Sequence, residues 1–210
     1  QNQHKMSYTN LIFDFDGTLI AGYSAFSFLR EQLRRGDLSA KEFADLAGAM
    51  TRFGMGNAEF SELLTTSARI MRGQTEQSFV ELGEQVYRKH IARAVYPESR
   101  ALVEAHLRKG HTVAVVSSAT PYQVAPAARA LGIEHVLCSQ LEVKRGKFTG
   151  EIIDPPCFGE GKVHAVNGLA RQDVVTRDAP GHETRVNRLV PSATLLLAAA
   201  CGPSTPPANS

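Results

Sequence analysis

The sequence predicts an α/β fold: a parallel sheet interrupted, directly after its first strand, by an all-α insertion. Three observations carry this. A short apolar run at residues 11–20, LIFDFDGTLI, ends in two carboxylates one residue apart, followed at once by a glycine. Residues 21–95 then hold three amphipathic patterns of helical period with no strand between them. From Pro97 onward helical and β-branched segments alternate, the rhythm of parallel strands joined by right-handed crossover helices.

In the first strand, alternation sets Asp14 and Asp16 on one face and turns Phe13 and Phe15 the other way, into packing. Gly17 lets the chain turn sharply, so both acids sit at the carboxyl end of a buried strand. Two carboxylates held together there repel one another unless a cation or a shared proton offsets the charge, so the pair points to a metal site. After Ile20, Tyr23, Phe26, Phe28 and Leu29 open the helical region, and this Phe-rich start is read as core. Ser39 and Glu42 form a capping-box pattern ahead of Phe43, Leu46 and Ala47. A helix over residues 57–71 carries Phe60, Leu63, Leu64 and Ile70, and Gly73 ends it. The next, over residues 75–92, carries Phe79, Leu82, Val86 and Ile91 at helical spacing.

Pro97 suits a helix start, and that helix runs to Arg108 before Lys109-Gly110 closes it. Residues 111–116, HTVAVV, are a β-branched run of the kind buried on both faces of a parallel sheet. The run ends in Ser117-Ser118, and a helix follows over residues 122–131. Residues 135–143 supply another strand, and Lys144-Arg145-Gly146-Lys147 turns it into a hairpin with residues 148–153. Gly159 and Gly161 precede Lys162, and Val163, Val166 and Leu169 continue a helix. Beyond Asn167 the pattern stops. Residues 171–210 hold five of the ten prolines, and the final CGPSTPPANS reads as disordered.

Composition bounds the function classes. With 210 residues, 43% of them hydrophobic, 21% charged and a net charge of +2, this is an ordinary globular chain without a long basic run, which argues against a nucleic-acid surface. Cys138, Cys157 and Cys201 lack CxxC spacing and are odd in number, so neither a zinc knuckle nor a disulfide framework is expected. A reducing, cytoplasmic location fits best. The N-terminal QNQHKMSYTN has no apolar core of a secretory signal, and the one late apolar run, LLLAAAC, is too short to span a membrane. His90, His106, His111 and His164 show no ligand spacing and are read as surface or helix residues.

With DFDGT, the VAVVSS strand end and GEGKV in that order, the chain resembles the haloacid dehalogenase (HAD) superfamily of hydrolases, closest to the helical-cap subfamily IB that includes phosphoserine phosphatase-like enzymes. The resemblance covers roughly residues 8–169. It implies a HAD-like, Rossmann-like parallel-sheet core at residues 8–20 and 96–170, a helical cap at 21–95, and a divergent tail at 171–210 that leaves the C-terminal part of the core incomplete. It also implies a magnesium-dependent phosphatase acting on a small phosphorylated metabolite.

Within that resemblance Asp14 is the nucleophile that forms an aspartyl-phosphate, and Asp16 is the acid that protonates the leaving alkoxide and later takes a proton from water. Magnesium would sit on the Asp14 carboxylate and the Asp16 backbone carbonyl. Ser117, with the Ser118 amide as helper, would bind a phosphoryl oxygen, and Lys162 would place a point charge on the phosphate. The carboxylate-binding arginine that a phosphoserine phosphatase cap carries has no clear counterpart here, although Arg69 and Arg72 lie in the corresponding helix. The family's fourth motif, an acidic pair such as GDSxxD after the lysine helix, has no match here. Asp173 and Asp178 follow no apolar strand and are read as loop carboxylates, as a shifted reading frame or a divergent end would leave them. The alternative function is accordingly a catalytically impaired protein that keeps the phosphate-binding groups without turnover.

Overall fold

The computed structural model describes residues 10–56 and 59–177. Residues 178–210, with Asp178 and most of the expected tail, lie outside the described residues, as does the side chain of Asp173. Strand β1, Asn10–Asp14, pairs in parallel with β2, Thr112–Ser117, which pairs in parallel with β3, His135–Cys138. The central strand β2 is covered on both faces, and Val113, Ala114, Val115 and Val116 are all buried, which is what its unbroken β-branched run requires. Asp14 stands opposite Val116 and Ser117 opposite Cys138. Asp14 and Ser117 therefore leave the sheet at the same carboxyl edge.

Between β1 and β2 run α1 (Ser24–Arg35), α2 (Ala40–Gly54), α3 (Phe60–Met71), α4 (Glu76–Val86), a π-helical turn (Tyr87–Ile91) and α5 (Pro97–Arg108). The capping box at α2 forms: the Ser39 N–H donates to the Glu42 carboxylate at 2.8 Å and the Glu42 N–H donates to Ser39 Oγ at 3.2 Å. The two ends of the helical stretch lie side by side, with the Ala21 N–H on the Ala94 carbonyl at 2.8 Å and the Tyr96 N–H on the Leu19 carbonyl at 3.1 Å. Helices α1 and α4 pack on α6 (Pro121–Leu131), while α2 packs on α3 and α3 on β5 (Lys147–Ile153). The approach of α4 to α6 is close enough that a Cβ on Gly83 would overlap the Tyr122 carbonyl. One apolar cluster, with Phe13, Phe15, Ile20, Phe79, Val86 and Val115 at its centre, joins sheet and helices.

The hairpin is formed by β4 (Gln140–Lys144) and β5 (Lys147–Ile153). Its two loop residues, Arg145 and Gly146, both have positive φ, 53° and 71°, as the twist of a two-residue hairpin turn demands. After it, α7 (Glu160–Arg177) carries Lys162 in its first turn. Among the described residues no helix is long and apolar enough to cross a membrane.

Four local expectations are corrected. Residues 135–143 are two strands: β3 belongs to the parallel sheet and β4 to the hairpin. Buried Ser139 parts them because its N–H donates to the Ala119 carbonyl at 3.1 Å and its Oγ accepts from the Cys157 N–H at 3.0 Å, which removes it from either ladder. The first strand ends at Asp14 instead of reaching Asp16, since the Phe15 carbonyl accepts from the N–H groups of Thr18, Leu19 and Ile20 and bends the chain before Gly17. The regular helix expected to residue 92 ends at Val86 and widens into the π-helical turn. Of the aromatic residues that open the helical region, Phe28 is core, but Tyr23 and Phe26 are each 58% exposed and pack edge to face at 6.1 Å.

Candidate active site

Three of the expected residues meet where β1 ends. Lys162 Nζ lies 3.0 Å from Asp14 Oδ1, both side chains being about 30% exposed at the carboxyl edge of the sheet. The same Asp14 oxygen accepts from the Phe15 N–H at 2.9 Å. Asp16 shares the electrostatic surroundings of both: the Asp14 charge opposes its ionisation and the Lys162 charge favours it. The largest influence on Asp16 is burial, which outweighs the hydrogen bonds from Ser24 and lifts the carboxyl above its ordinary value of 3.8. The two carboxylates are thus unlike in environment. Asp14 is paired with a cation, and burial disfavours the charged form of Asp16.

Ser117, almost wholly buried, completes the edge. Its Oγ accepts from the Ala119 N–H at 3.1 Å, which shapes the turn after β2 and leaves the hydroxyl proton free to donate. Ser118 follows in that turn, half-buried. Lys162 is placed by the glycine-flanked loop before α7. The Gly161 N–H donates to the Phe158 carbonyl at 2.9 Å and the Lys162 N–H to the Gly159 carbonyl at 3.1 Å. A Cβ on Gly161 would overlap the Pro156 carbonyl, so the loop needs glycine there. Phe158, in the same loop, stacks on Phe60 at 4.4 Å and meets Phe53 edge to face at 6.1 Å, tying the lysine loop to α2 and α3.

The structure also brings in residues that the sequence reading did not single out. The Ser24 N–H, first in α1, donates to Asp16 Oδ1 at 2.6 Å, and Ser24 Oγ lies 3.2 Å from Oδ2. Gln123 Nε2, in the first turn of α6, lies 3.3 Å from Ser24 Oγ. The Thr120-x-x-Gln123 spacing is a capping-box signature that was visible in the sequence. Nothing in the spacing of Ser24 announced its partner. Cys157, buried beside the site, has a thiol that burial pushes up, with Lys162 and the Ser117 N–H pulling the other way. Arg72 is drawn aside, its guanidinium 3.2 Å from Glu151 of β5, and Arg69 lies exposed in the groove between α2 and α3 with Arg52 and Glu62. Of the histidines weighed as ligands, His106 and His111 meet, Nδ1 to Nδ1 at 2.8 Å, at the opposite end of β2 from Ser117.

Known proteins resemble the chain as a whole. A family model described as haloacid dehalogenase-like hydrolase matches residues 11–180. A Mycobacterium leprae protein named as a hydrolase is 33% identical over 163 residues, which are 75% of this chain and 54% of that one. A phosphoserine phosphatase of Mycobacterium tuberculosis is 32% identical over 163 residues, 75% of this chain and 53% of that one. The chain therefore spans about half the length of these relatives. Among solved structures, a Bordetella pertussis protein of unknown function superposes with a TM-score of 0.71 at 25% identity, over 80% of this chain and 76% of the other.

Proposed function

The chain belongs to the haloacid dehalogenase-like hydrolases, and from that premise we propose that it hydrolyses a small phosphomonoester through an aspartyl-phosphate on Asp14. The observation that carries this reading is the pairing of Asp14 with Lys162 at 3.0 Å at the carboxyl edge of the sheet, beside the buried Asp16, whose ionisation burial disfavours. A nucleophile is served by a cation at its side and a proton donor by burial that disfavours its charged form, and the two acids of DFDGT meet these two different surroundings.

An Asp14 carboxylate oxygen attacks phosphorus as the bond to the leaving oxygen breaks, and the proton of Asp16 passes to that oxygen. Water then attacks the phosphorus of the aspartyl-phosphate and gives its proton to Asp16, which releases phosphate and restores the Asp14 carboxylate. The Ser117 hydroxyl donates to a phosphoryl oxygen, and Lys162 moves from ion pair with Asp14 to shared contact with the phosphate.

The Asp14 carboxylate is matched by the single Lys162 charge, which leaves the edge without the net positive charge that a phosphate dianion needs, so the oxygen donors here suit a hard divalent cation. The Asp14 carboxylate and the Asp16 main-chain carbonyl would hold magnesium, which when bound supplies positive charge between nucleophile and phosphate. Residues 21–95 are the segment we assign as cap, with 8–20 and 96–170 as core, residues 8 and 9 lying outside the described residues. The mycobacterial relative named phosphoserine phosphatase makes phosphoserine the first substrate to try.

A second reading, phosphate binding without turnover, is favoured by one observation: among the described residues no three His, Cys, Asp or Glu side chains are grouped to hold a metal. Hydrolysis of p-nitrophenyl phosphate with magnesium, with and without EDTA, beside Asp14→Asn, separates the two. The proposal expects magnesium-dependent turnover that the variant lacks. Turnover no greater than that of the variant, with phosphate still bound, selects the second reading.

A further inference from the structure

We infer that Ser24 and Gln123 are positioning residues for Asp16, forming a hydrogen-bonded chain of fixed polarity that aims its carboxyl at the leaving group. The inference rests on the phosphatase reading above. A backbone N–H, whose role as donor admits no alternative, sets the polarity of the chain. The Thr120 N–H and the Thr120 hydroxyl both donate to Gln123 Oε1 at 2.9 Å, so the amide oxygen faces Thr120 and the Nε2 group faces the other way. Gln123 Nε2 can only donate, and its partner at 3.3 Å is Ser24 Oγ. With that oxygen accepting, the single Ser24 proton is directed at Asp16 Oδ2, 3.2 Å away. The Ser24 N–H occupies Oδ1 at 2.6 Å. Both carboxyl oxygens of Asp16 are then engaged from one side, which fixes the plane of the group.

Burial makes the arrangement costly to leave. Ser24 is 1% and Thr120 6% exposed, so an unmade bond at either strands a polar group away from water. The chain also crosses from one element to another. Ser24 is the first residue of α1, and Gln123 belongs to the first turn of α6, the helix that follows Ser117. The docking of α1 on α6 therefore sets the aim of the acid, and the phosphate-binding turn and the proton donor share one helix start. A proton donor that is present but badly aimed loses most where the leaving oxygen is most basic, because that oxygen most needs the proton in the transition state.

The test is kcat/KM for a series of aryl phosphates of equal size, from p-nitrophenyl to phenyl and methoxyphenyl, in the full chain with magnesium; this parameter reports the steps through loss of the leaving group. Gln123→Glu keeps the oxygen that Thr120 uses but loses the donor to Ser24, and Ser24→Ala loses the hydroxyl while keeping the N–H. Urea midpoints confirm that each variant is folded, and either variant alone suffices for the comparison. We expect turnover of p-nitrophenyl phosphate to stay within about threefold of wild type while the most basic leaving groups slow by about 10- to 100-fold, giving a steeper dependence on leaving-group basicity. An equal fall for every substrate marks a merely structural role and overturns the inference, as does no fall at all. A wild-type chain that turns over none of the series overturns the phosphatase reading and the inference with it; parallel slopes in an active wild type overturn the inference alone.

Discussion

Replacing Glu31 by glutamine tests how the helical insertion is fastened. Glu31 is 2% exposed on α1, yet its carboxylate accepts from Arg34 Nη2 at 2.5 Å, from Lys89 Nζ at 2.9 Å and from Gln85 Nε2, while His90 Nε2 lies 3.8 Å from its other oxygen. Lys89 and His90 belong to the π-helical turn, so the cluster ties α1 to the end of the insertion. Glutamine keeps the shape and removes the charge, so the bonds from Arg34 and Lys89 keep a cationic donor but lose the anionic acceptor, a loss of about 1 kcal/mol for each partner. The Arg34 and Lys89 side chains are 59% and 43% exposed and regain water, which trims the loss to about 1.5 kcal/mol. For a chain of this size that lowers the melting temperature by about 3–6 °C at pH 7. The pH dependence is the sharper readout. The bond from Arg34, then that from Lys89, holds the Glu31 carboxyl down to about 2 from 4.5. Its stabilisation is complete above pH 4.5 and is lost as pH falls toward 2. Thermal melts at pH 7, 5 and 3 should show wild type and Glu31→Gln converging as the pH drops. A gap that is absent at pH 7, or that keeps its size at pH 3, refutes the reasoning.

Asp16→Asn should cut phosphatase turnover by about 10²- to 10⁴-fold while leaving the melting temperature at pH 7 equal or higher. The folded state raises the Asp16 pKa, so ionisation costs stability as pH climbs through that value, and asparagine escapes the cost; a lower melting temperature contradicts this. Gly161→Ala, whose Cβ would overlap the Pro156 carbonyl, should shift Lys162 and lower kcat/KM by up to about 10²-fold with the fold retained by circular dichroism. Unchanged kinetics would show that the loop does not set the lysine. The Cys138 and Cys157 thiols, both buried and both pushed up chiefly by burial, should resist iodoacetamide at pH 8 in peptide mapping and react in urea; labelling of either in the native state counts against the described packing.

Much of the fold was legible because each element carried its own periodicity. The β-branched run at residues 111–116 forms the central strand, the Ser39/Glu42 box caps α2, and Arg145-Gly146 makes the hairpin turn. What escaped was decided by single long-range bonds. The break at Ser139 depends on partners at Ala119 and Cys157, and the early bend after Asp14 depends on one carbonyl, that of Phe15, taking three donors. In the candidate site, Asp14, Asp16 and Lys162 were legible because acids of this spacing and a glycine-flanked lysine are unusual strings. Ser24 was not, since a serine two residues after a glycine reads as an ordinary helix start. Its partnership with Asp16 exists only because the turn at residues 15–22 folds α1 back over the strand end.

The central claim, that Asp14 is phosphorylated in turnover, is tested most directly by trapping. The chain is mixed with p-nitrophenyl phosphate and magnesium, quenched in the steady state and reduced with borohydride, which converts an aspartyl-phosphate to homoserine. Peptide mass spectrometry should then find homoserine at position 14 and aspartate at position 16. Homoserine at position 16, or unmodified Asp14 in a preparation that is turning substrate over, would contradict the account.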